Sequence, residues 1–237
     1  MVASNRIICT ICARGGSKGV KNKNIKLING KPLIVHTILQ AIECNIFDKI
    51  VVSSDSQEIL DIAGQYGVDL LINRPSELAN DFISKIPAIR HAVNETEVAF
   101  NTNFSLVVDM DPTSPLRNIN DIKSSVNLLV KKNISNVITG SPARRSPYFN
   151  LVEKIDNEKI ILSKKLDKPI YRRQDSPKCY DMNASIYVWK KAALFEFETV
   201  FNSDTELYEM PENRSVDIDN ELDFLIVEHL LKNKLND

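Results

Sequence analysis

The sequence predicts an α/β fold: a mostly parallel sheet with helices on both faces, interrupted late in the chain by a smaller inserted arm. Three observations predict it. Continuous apolar stretches of strand length alternate with amphipathic stretches of helical period, the pattern of strands buried on both sides. The first such strand stops abruptly in a loop rich in glycine and cations. The alternation breaks after Ser141 and resumes at Ala184.

Taken in order, Arg6 to Ala13 is the first strand, and the glycine-rich loop follows through Asn24. Pro32 to Cys44 sets Leu33, Ile34, Ile38, Leu39, Ala41 and Ile42 at helical spacing, with Pro32 suited to a first helical turn. Lys49 to Ser53 is an apolar strand. Asp55 or Ser56 caps a helix whose buried stripe is Ile59, Leu60, Ile62 and Ala63, and Gly67 ends it. Asp69 to Ile72 is a short strand, Ser84 to Val93 a helix, and Ser105 to Asp109 a strand. Asn120 or Asp121 opens a helix through Leu129, and Asn136 to Thr139 is the next strand. Between 142 and 183, Pro142, Pro147, Pro169 and Pro177 and several charges replace any long helical period. Within that stretch Phe149 to Glu153 and Lys159 to Leu162 form a hairpin across Asp156-Asn157. Ser185 to Trp189 is a core strand, Ser215 to Asp219 a short strand, and Asn220 to Leu231 a closing amphipathic helix. Residues 1–141 and 184–237 therefore make one Rossmann-like unit, and 142–183 an inserted dimerisation arm.

The 237 residues suffice for one large domain, and 43% hydrophobic content lets it bury a core. A formal net charge of −1 argues against a nucleic-acid coat or a membrane-surface protein, so any anion site must be local. No apolar run reaches membrane-spanning length, and no secretory hydrophobic segment precedes Arg14; the expected location is the cytoplasm. Cys9 and Cys12 form C-x-x-C, but positions i and i+3 of a strand face opposite ways, so neither a redox nor a zinc pair is expected. His36, His91 and His229 are far apart, and packing is their expected role.

The loop Arg14-Gly15-Gly16-Ser17-Lys18-Gly19-Val20-Lys21-Asn22-Lys23-Asn24 follows neither common nucleotide fingerprint. Its glycines nevertheless let backbone N–H groups approach a ligand, and its cations surround that backbone with positive charge. At the carboxyl end of a first strand, where open α/β sheets bind ligands, this suits a polyphosphate better than a solvated surface turn. In Asp217-Ile218-Asp219, two carboxylates in extended chain share a face while Ile218 turns inward. Such a pair is costly without a cation, and Mg²⁺ bridging to substrate phosphates is the natural one; a helix-capping pair is the alternative. Asp111, Thr113 and Ser114 follow another buried strand between Pro112 and Pro115 and should line the same cleft, as should Arg74 to Leu78 and Asp81 to Lys85. Arg172, Arg173 and Gln174, in the arm, are either a solvated cluster or a clamp for a substrate carboxylate.

Four motifs, Ala13-Arg-Gly-Gly-Ser-Lys-Gly19 with Lys23-Asn24, Arg74-Pro-Ser-Glu-Leu78, Pro112-Thr-Ser-Pro-Leu-Arg117 and Asp217-Ile-Asp219, together resemble the acylneuraminate cytidylyltransferases, the CMP-sialic acid synthetases. The similarity covers nearly the whole chain. It implies activation of a nine-carbon 2-keto sugar acid by CTP, with Mg²⁺, in a homodimer. Carried over, Arg14 and Lys23 would hold the triphosphate and act in catalysis, and Gly15, Gly16, Ser17 and Lys18 would cradle it. Ala13, Asn24, Arg74, Ser84 and Lys85 would complete the nucleotide site. Asp217 and Asp219 would hold Mg²⁺, with Asp217 catalytic, and Asp111, Thr113, Ser114, Arg173 and Gln174 would face the sugar acid, Arg173 from the partner's arm.

Two departures point within the family. Many sialate enzymes place Gln where this chain has Asp111, and small hydroxyl residues where it has Ser84-Lys85. The sequence thus looks like the subgroup acting on 5,7-diamino nonulosonates, with N,N'-diacetyllegionaminate ahead of pseudaminate. N-acetylneuraminate and the eight-carbon acid Kdo are the rival substrates, and a noncatalytic nucleotide-sensing dimer is the rival of another class.

Overall fold

In a computed structural model, which describes residues 5–17, 19–79, 84–155, 158–168 and 170–233, the first apolar run becomes β1 (Ile7–Cys12). After the glycine loop, β2 (Leu27–Ile28) and β3 (Lys31–Pro32) pair across Asn29 and Gly30, both at positive φ, which is the backbone a tight hairpin turn demands. The chain continues through α1 (Leu33–Cys44), β4 (Lys49–Ser54), α2 (Gln57–Gly64) and β5 (Leu70–Asn73). Next come α3 (Lys85–Phe100), β6 (Leu106–Met110), α4 (Ile119–Lys132) and β7 (Asn136–Pro142). The arm's hairpin is β8 (Val152–Ile155) and β9 (Lys159–Leu162); β10 (Tyr180–Lys190), α5 (Lys191–Glu196), β11 (Glu206–Glu209) and α6 (Glu221–Lys232) complete the chain.

Seven strands form one sheet in the order β11-β7-β10-β6-β1-β4-β5. Only β10 runs against its neighbours β6 and β7; the other pairings are parallel, as the continuous apolar strands require. The chain leaves β1 toward β4 and β5 and later returns on its other side as β6. The strand order therefore reverses between β1 and β6, the place where open α/β sheets form a crevice.

Two cores flank the sheet. On one face α1, α2 and α4 bury Ile34, Ile38, Leu60, Ile122 and Val126 against Cys9, Ile11, Val52 and Val108. On the other, α3 and α5 bury Ile86, Ile89, Val93 and Leu194 against Ile8, Val51, Val107 and Trp189. Cys9 and Cys12 belong to opposite faces of the sheet, as their spacing implied. A third, smaller core matters most for function. Val20, Ile28, Leu33 and Leu116 enclose Ile218, Phe224 and Val227, which ties the residues ahead of α6 to the glycine loop.

Several expected boundaries move. Helix α3 runs seven residues past Val93 because only one side of Asn94–Phe100 needs to be apolar, and Thr96 satisfies its hydroxyl on the Ala92 carbonyl. Helix α4 starts at Ile119, capped by Asn118 rather than Asn120 or Asp121; Asp121 instead closes a reciprocal capping box with Asn118. Ser215 to Asp219 is not a strand, since no neighbour offers it a ladder. Helix α5 and edge strand β11 carried no clear periodic signal; β11 takes its conformation from pairing with β7.

The arm's stem is the continuation of β7 and β10 beyond the sheet, with Pro142 opposite Tyr180 and Ser141 opposite Asp181. At its tip β8 and β9 pair as expected, although the Asp156-Asn157 turn lies outside the described residues. Among the described residues, no helix is long and apolar enough to cross a membrane.

Candidate active site

A cleft of about 440 Å³ opens at the carboxyl ends of β1, β5 and β6. Its first wall is the glycine loop. Gly16 has φ +66°, a backbone that side chains disfavour. Gly19 answers a different need: an added Cβ there would lie 1.9 Å from the carbonyl oxygen of Asp219, so only glycine lets the loop touch the carboxylate segment. Asn24 donates to the Arg14 carbonyl at 2.9 Å, and Arg74, almost fully buried, donates to the Ala13 carbonyl at 2.8 Å. Asp55 accepts from the Gly15 N–H at 2.9 Å and faces Arg74 at 3.5 Å. Among the described residues, the Asn24 Oδ1 acceptor and the Arg74 Nε donor are buried without a hydrogen-bond partner beside this cleft.

The second wall carries the carboxylates. Asp217 and Asp219 both line the cleft. Burial, then the charges of Asp111 and Asp219, push the Asp217 carboxyl up to about 6. Lys23 and a hydrogen bond from Thr113 offset this only in part, and a divalent cation between the two carboxylates would offset it further. Mg²⁺ usually binds through one or two carboxylates plus substrate phosphates, so this donor pair fits it. Among the described residues no group of three or more acidic, histidine or cysteine side chains forms a metal site. Lys23 bridges the walls: its ammonium donates to the Ile218 carbonyl and lies 3.8 Å from Asp219.

The floor is an ionic cluster. Lys85 Nζ lies 2.7 Å from Asp109 and 3.1 Å from Asp111, above the Tyr187 ring at 4.4 Å. Burial alone would lower the ammonium's pKa; Asp109 and Asp111 more than reverse this, so Lys85 is charged. Asp111 Oδ1 accepts the N–H and hydroxyl of Thr113, at 3.1 and 2.8 Å, and Oδ2 accepts Lys85. Burial opposes ionisation of Asp111, but Lys85 and Thr113 hold its pKa below the usual value. Cys12 reaches this floor too, yet burial and then Asp109 push its thiol far up, so it is no nucleophile.

A cationic glycine loop faces paired carboxylates at the strand-order reversal, and residues 8–226 match the family described as Cytidylyltransferase. The chain belongs to the cytidylyltransferase family. This cytidylyltransferase is 49% identical, over 96% of both chains, to the CMP-N,N'-diacetyllegionaminic acid synthase of Campylobacter jejuni subsp. jejuni serotype O:2. It is 45% identical, over 97% of both chains, to the post-translational flagellin modification protein B of Campylobacter coli. Its fold is that of a CMP:2-keto-3-deoxy-manno-octonic acid synthetase solved in complex with CTP, at TM-score 0.69, 14% identity and coverage of 97% and 99% of the two chains. The resemblance carried by the four motifs, and the Rossmann-like fold it implied, are borne out.

Within the cytidylyltransferase, one cleft gathers Arg14, Ser17, Lys23, Asn24, Arg74, Ser84 and Lys85 with Asp111, Thr113, Asp217 and Asp219. Ala13, Gly15 and Gly16 shape the turn behind it. Lys18 and Asp81 lie outside the described residues. Ser114 is fully buried, with its hydroxyl 3.2 Å from the Asn183 carbonyl and 3.4 Å from Asp217, so it supports Asp217 from behind. Arg173 and Gln174 are not in this cleft. They line a separate cavity of about 490 Å³ at the base of the arm, where Arg173 donates to the Ala143 carbonyl at 2.5 Å. A groove of about 560 Å³ at the opposite end of β6 is mainly apolar, and its Lys190 and Lys191 are already bonded to Asn133 and Glu97.

Three supporting residues of the cytidylyltransferase escaped the sequence reading. Asp55 and Asp109 stand at strand ends, the signal that found Asp111, and could have been found by the same rule. Arg117 was quoted within a motif but given no task. It is fully buried, and its guanidinium binds the Ser185 carbonyl at 2.5 Å, the Asp111 carbonyl at 2.6 Å and Gln40 at 3.0 Å. Burial lowers its pKa to about 10, so it remains charged and pins the end of β6 to β10.

Proposed function

We propose that this cytidylyltransferase joins CTP to a nine-carbon 2-keto sugar acid, N,N'-diacetyllegionaminate, giving the CMP-sugar and pyrophosphate. The observation that carries this reading is the meeting, in one cleft, of the cationic glycine loop, the Asp217–Asp219 pair and the Lys85–Asp111 floor. The 49% identity to a CMP-N,N'-diacetyllegionaminic acid synthase supports the choice of sugar.

In this reading the sugar's anomeric hydroxyl attacks the α-phosphorus in line, opposite the leaving pyrophosphate. Asp217 and Asp219 would hold Mg²⁺, which would offset phosphate charge and lower the pKa of the attacking hydroxyl. Arg14 and Lys23 stabilise the charge that grows on the phosphates. Asn24 Oδ1 and Arg74 Nε, an unpaired acceptor and donor, meet the nucleoside. The charged groups that this chain brings to the cleft are Arg14, Lys23, Arg74 and Lys85 and the carboxylates Asp111, Asp217 and Asp219.

The test is pyrophosphate release with CTP and purified acids side by side. N,N'-diacetyllegionaminate is expected to exceed N-acetylneuraminate in kcat/KM by about tenfold to a few hundredfold, the worth of one good pocket contact. Asp111→Gln should narrow that gap, because an ionised acceptor paired with Lys85 favours the second acetamido N–H. Equal efficiency, or preference for N-acetylneuraminate or Kdo, overturns the assignment. CTP binding without release of pyrophosphate for any acid would favour the nucleotide-sensing alternative.

The same reading makes the enzyme a homodimer through the arm. Val152 and Ile160 in the hairpin and Tyr171 beyond it are 54%, 58% and 82% exposed, apolar surface that a partner's arm would cover. Arg173 lies outside its own chain's cleft, consistent with service in a partner's. Light scattering should give twice the chain mass, and a fully active monomer would refute the arm's role.

A further inference from the structure

The segment that carries Asp217 belongs to no strand or helix, so its position is set by whatever crosses it. On the cleft side, Ile218 N–H donates to the Thr113 carbonyl at 3.0 Å, and Gly19 and Lys23 touch the backbone of Ile218 and Asp219. Upstream, Arg214 ends a short 3₁₀ turn, Glu212–Arg214. Its Nε and Nη2 donate to the two oxygens of Asp121 at 2.9 and 3.0 Å, a forked pair with directional geometry.

Asp121 is wholly buried and already closes the capping box of α4, so it cannot shift without uncapping that helix. The Tyr208 hydroxyl also faces it, at 3.4 Å. The start of α4 follows directly on the loop of Asp111, Thr113 and Ser114. Arg214 thus joins the carboxylate segment to the same rigid point from which the opposing loop departs. We propose that the Asp121–Arg214 pair is a positioning device that holds Asp217 at the distance from the phosphate loop at which it can share a cation with bound CTP. This rests on the reading of Asp217 as a Mg²⁺ ligand.

The planar fork, and not charge alone, does the positioning, which separates this role from general stabilisation. Arg214→Met removes charge and fork, and Arg214→Lys keeps only the charge. Water-proton relaxation with Mn²⁺ and CTP, without sugar acid, reads the metal-bound ternary complex independently of turnover; Asp217→Ala serves as the baseline. The expected result is a Mn²⁺ half-saturation raised about tenfold in Arg214→Met and by a smaller factor in Arg214→Lys, with metal-free CTP affinity within about twofold of wild type. If Arg214→Met fails to fold by circular dichroism, Arg214→Lys and Asp121→Asn decide on the same titration. Folded variants that titrate as wild type overturn the proposal alone. A wild type that shows no relaxation enhancement overturns the metal reading itself.

Discussion

Asp217→Ala is expected to remove most turnover, by a factor on the order of 10²–10³, the range for losing one preorganised charge-stabilising group. Asp217 is the better held of the two cleft carboxylates: Ile218 beside it is fully buried, and Ser114 stands behind it. Asp219 has a side chain 79% exposed, so Asp219→Ala should cost less. Initial rates of pyrophosphate release, titrated with Mg²⁺ from limiting to saturating, separate a lost ligand from a lost fold. Full activity of both variants at limiting Mg²⁺ would remove the metal assignment. Stability provides a second readout. The folded carboxyl, at about 6, lies above its ordinary value of 3.8, so its contribution is complete below about pH 4 and is lost as pH rises through 6. Above pH 6, without metal, the ionised Asp217 opposes folding. The alanine variant should therefore melt no lower than wild type at pH 8, which a purely structural role for Asp217 does not predict.

Lys23→Ala is expected to lower kcat/KM for CTP by about 2–4 kcal/mol. Its ammonium is mostly buried, with a side chain 14% exposed, and sits between the phosphate loop and the carboxylate segment. Without it, Asp219 and the phosphates of bound CTP would lose the cation that links the glycine loop to the carboxylate segment. Arg14→Ala belongs to the same class. Preference for cytosine over uracil should change little in either variant, because the unpaired Asn24 and Arg74 atoms remain. Single-turnover kinetics with CTP and UTP decide it: a loss confined to the KM of the sugar acid would place Lys23 elsewhere.

The two predictions differ in how far the sequence alone could have made them. Lys23 was legible as a cleft residue because a strand-to-loop transition with glycines and cations marks the carboxyl end of a first strand before any fold is known. The Asp217–Asp219 spacing also spoke for itself, although the strand expected to present it is absent. An extended segment spaces residues i and i+2 alike with or without a ladder, so both carboxylates line one cleft although the element is wrong. Asp111 shows the opposite case. Its position was readable, but its partners Lys85 and Thr113 fix both oxygens, and no spacing rule brings residue 85 to residue 111.

What the sequence determined by itself was the local physics: buried strands that must pair in parallel, the helical stripes, the cationic loop, the carboxylate pair, and opposed faces for Cys9 and Cys12. What only the tertiary structure decided was which distant groups complete one another. Asp55 beneath Gly15, Arg117 under Asp111, Arg214 on Asp121 and Gly19 against Asp219 all join segments far apart in the chain. Arg173 was set outside its own chain's cleft in the same way. Periodicity and propensity act over a few residues along the chain, whereas a buried charge is satisfied by whichever element the fold packs against it.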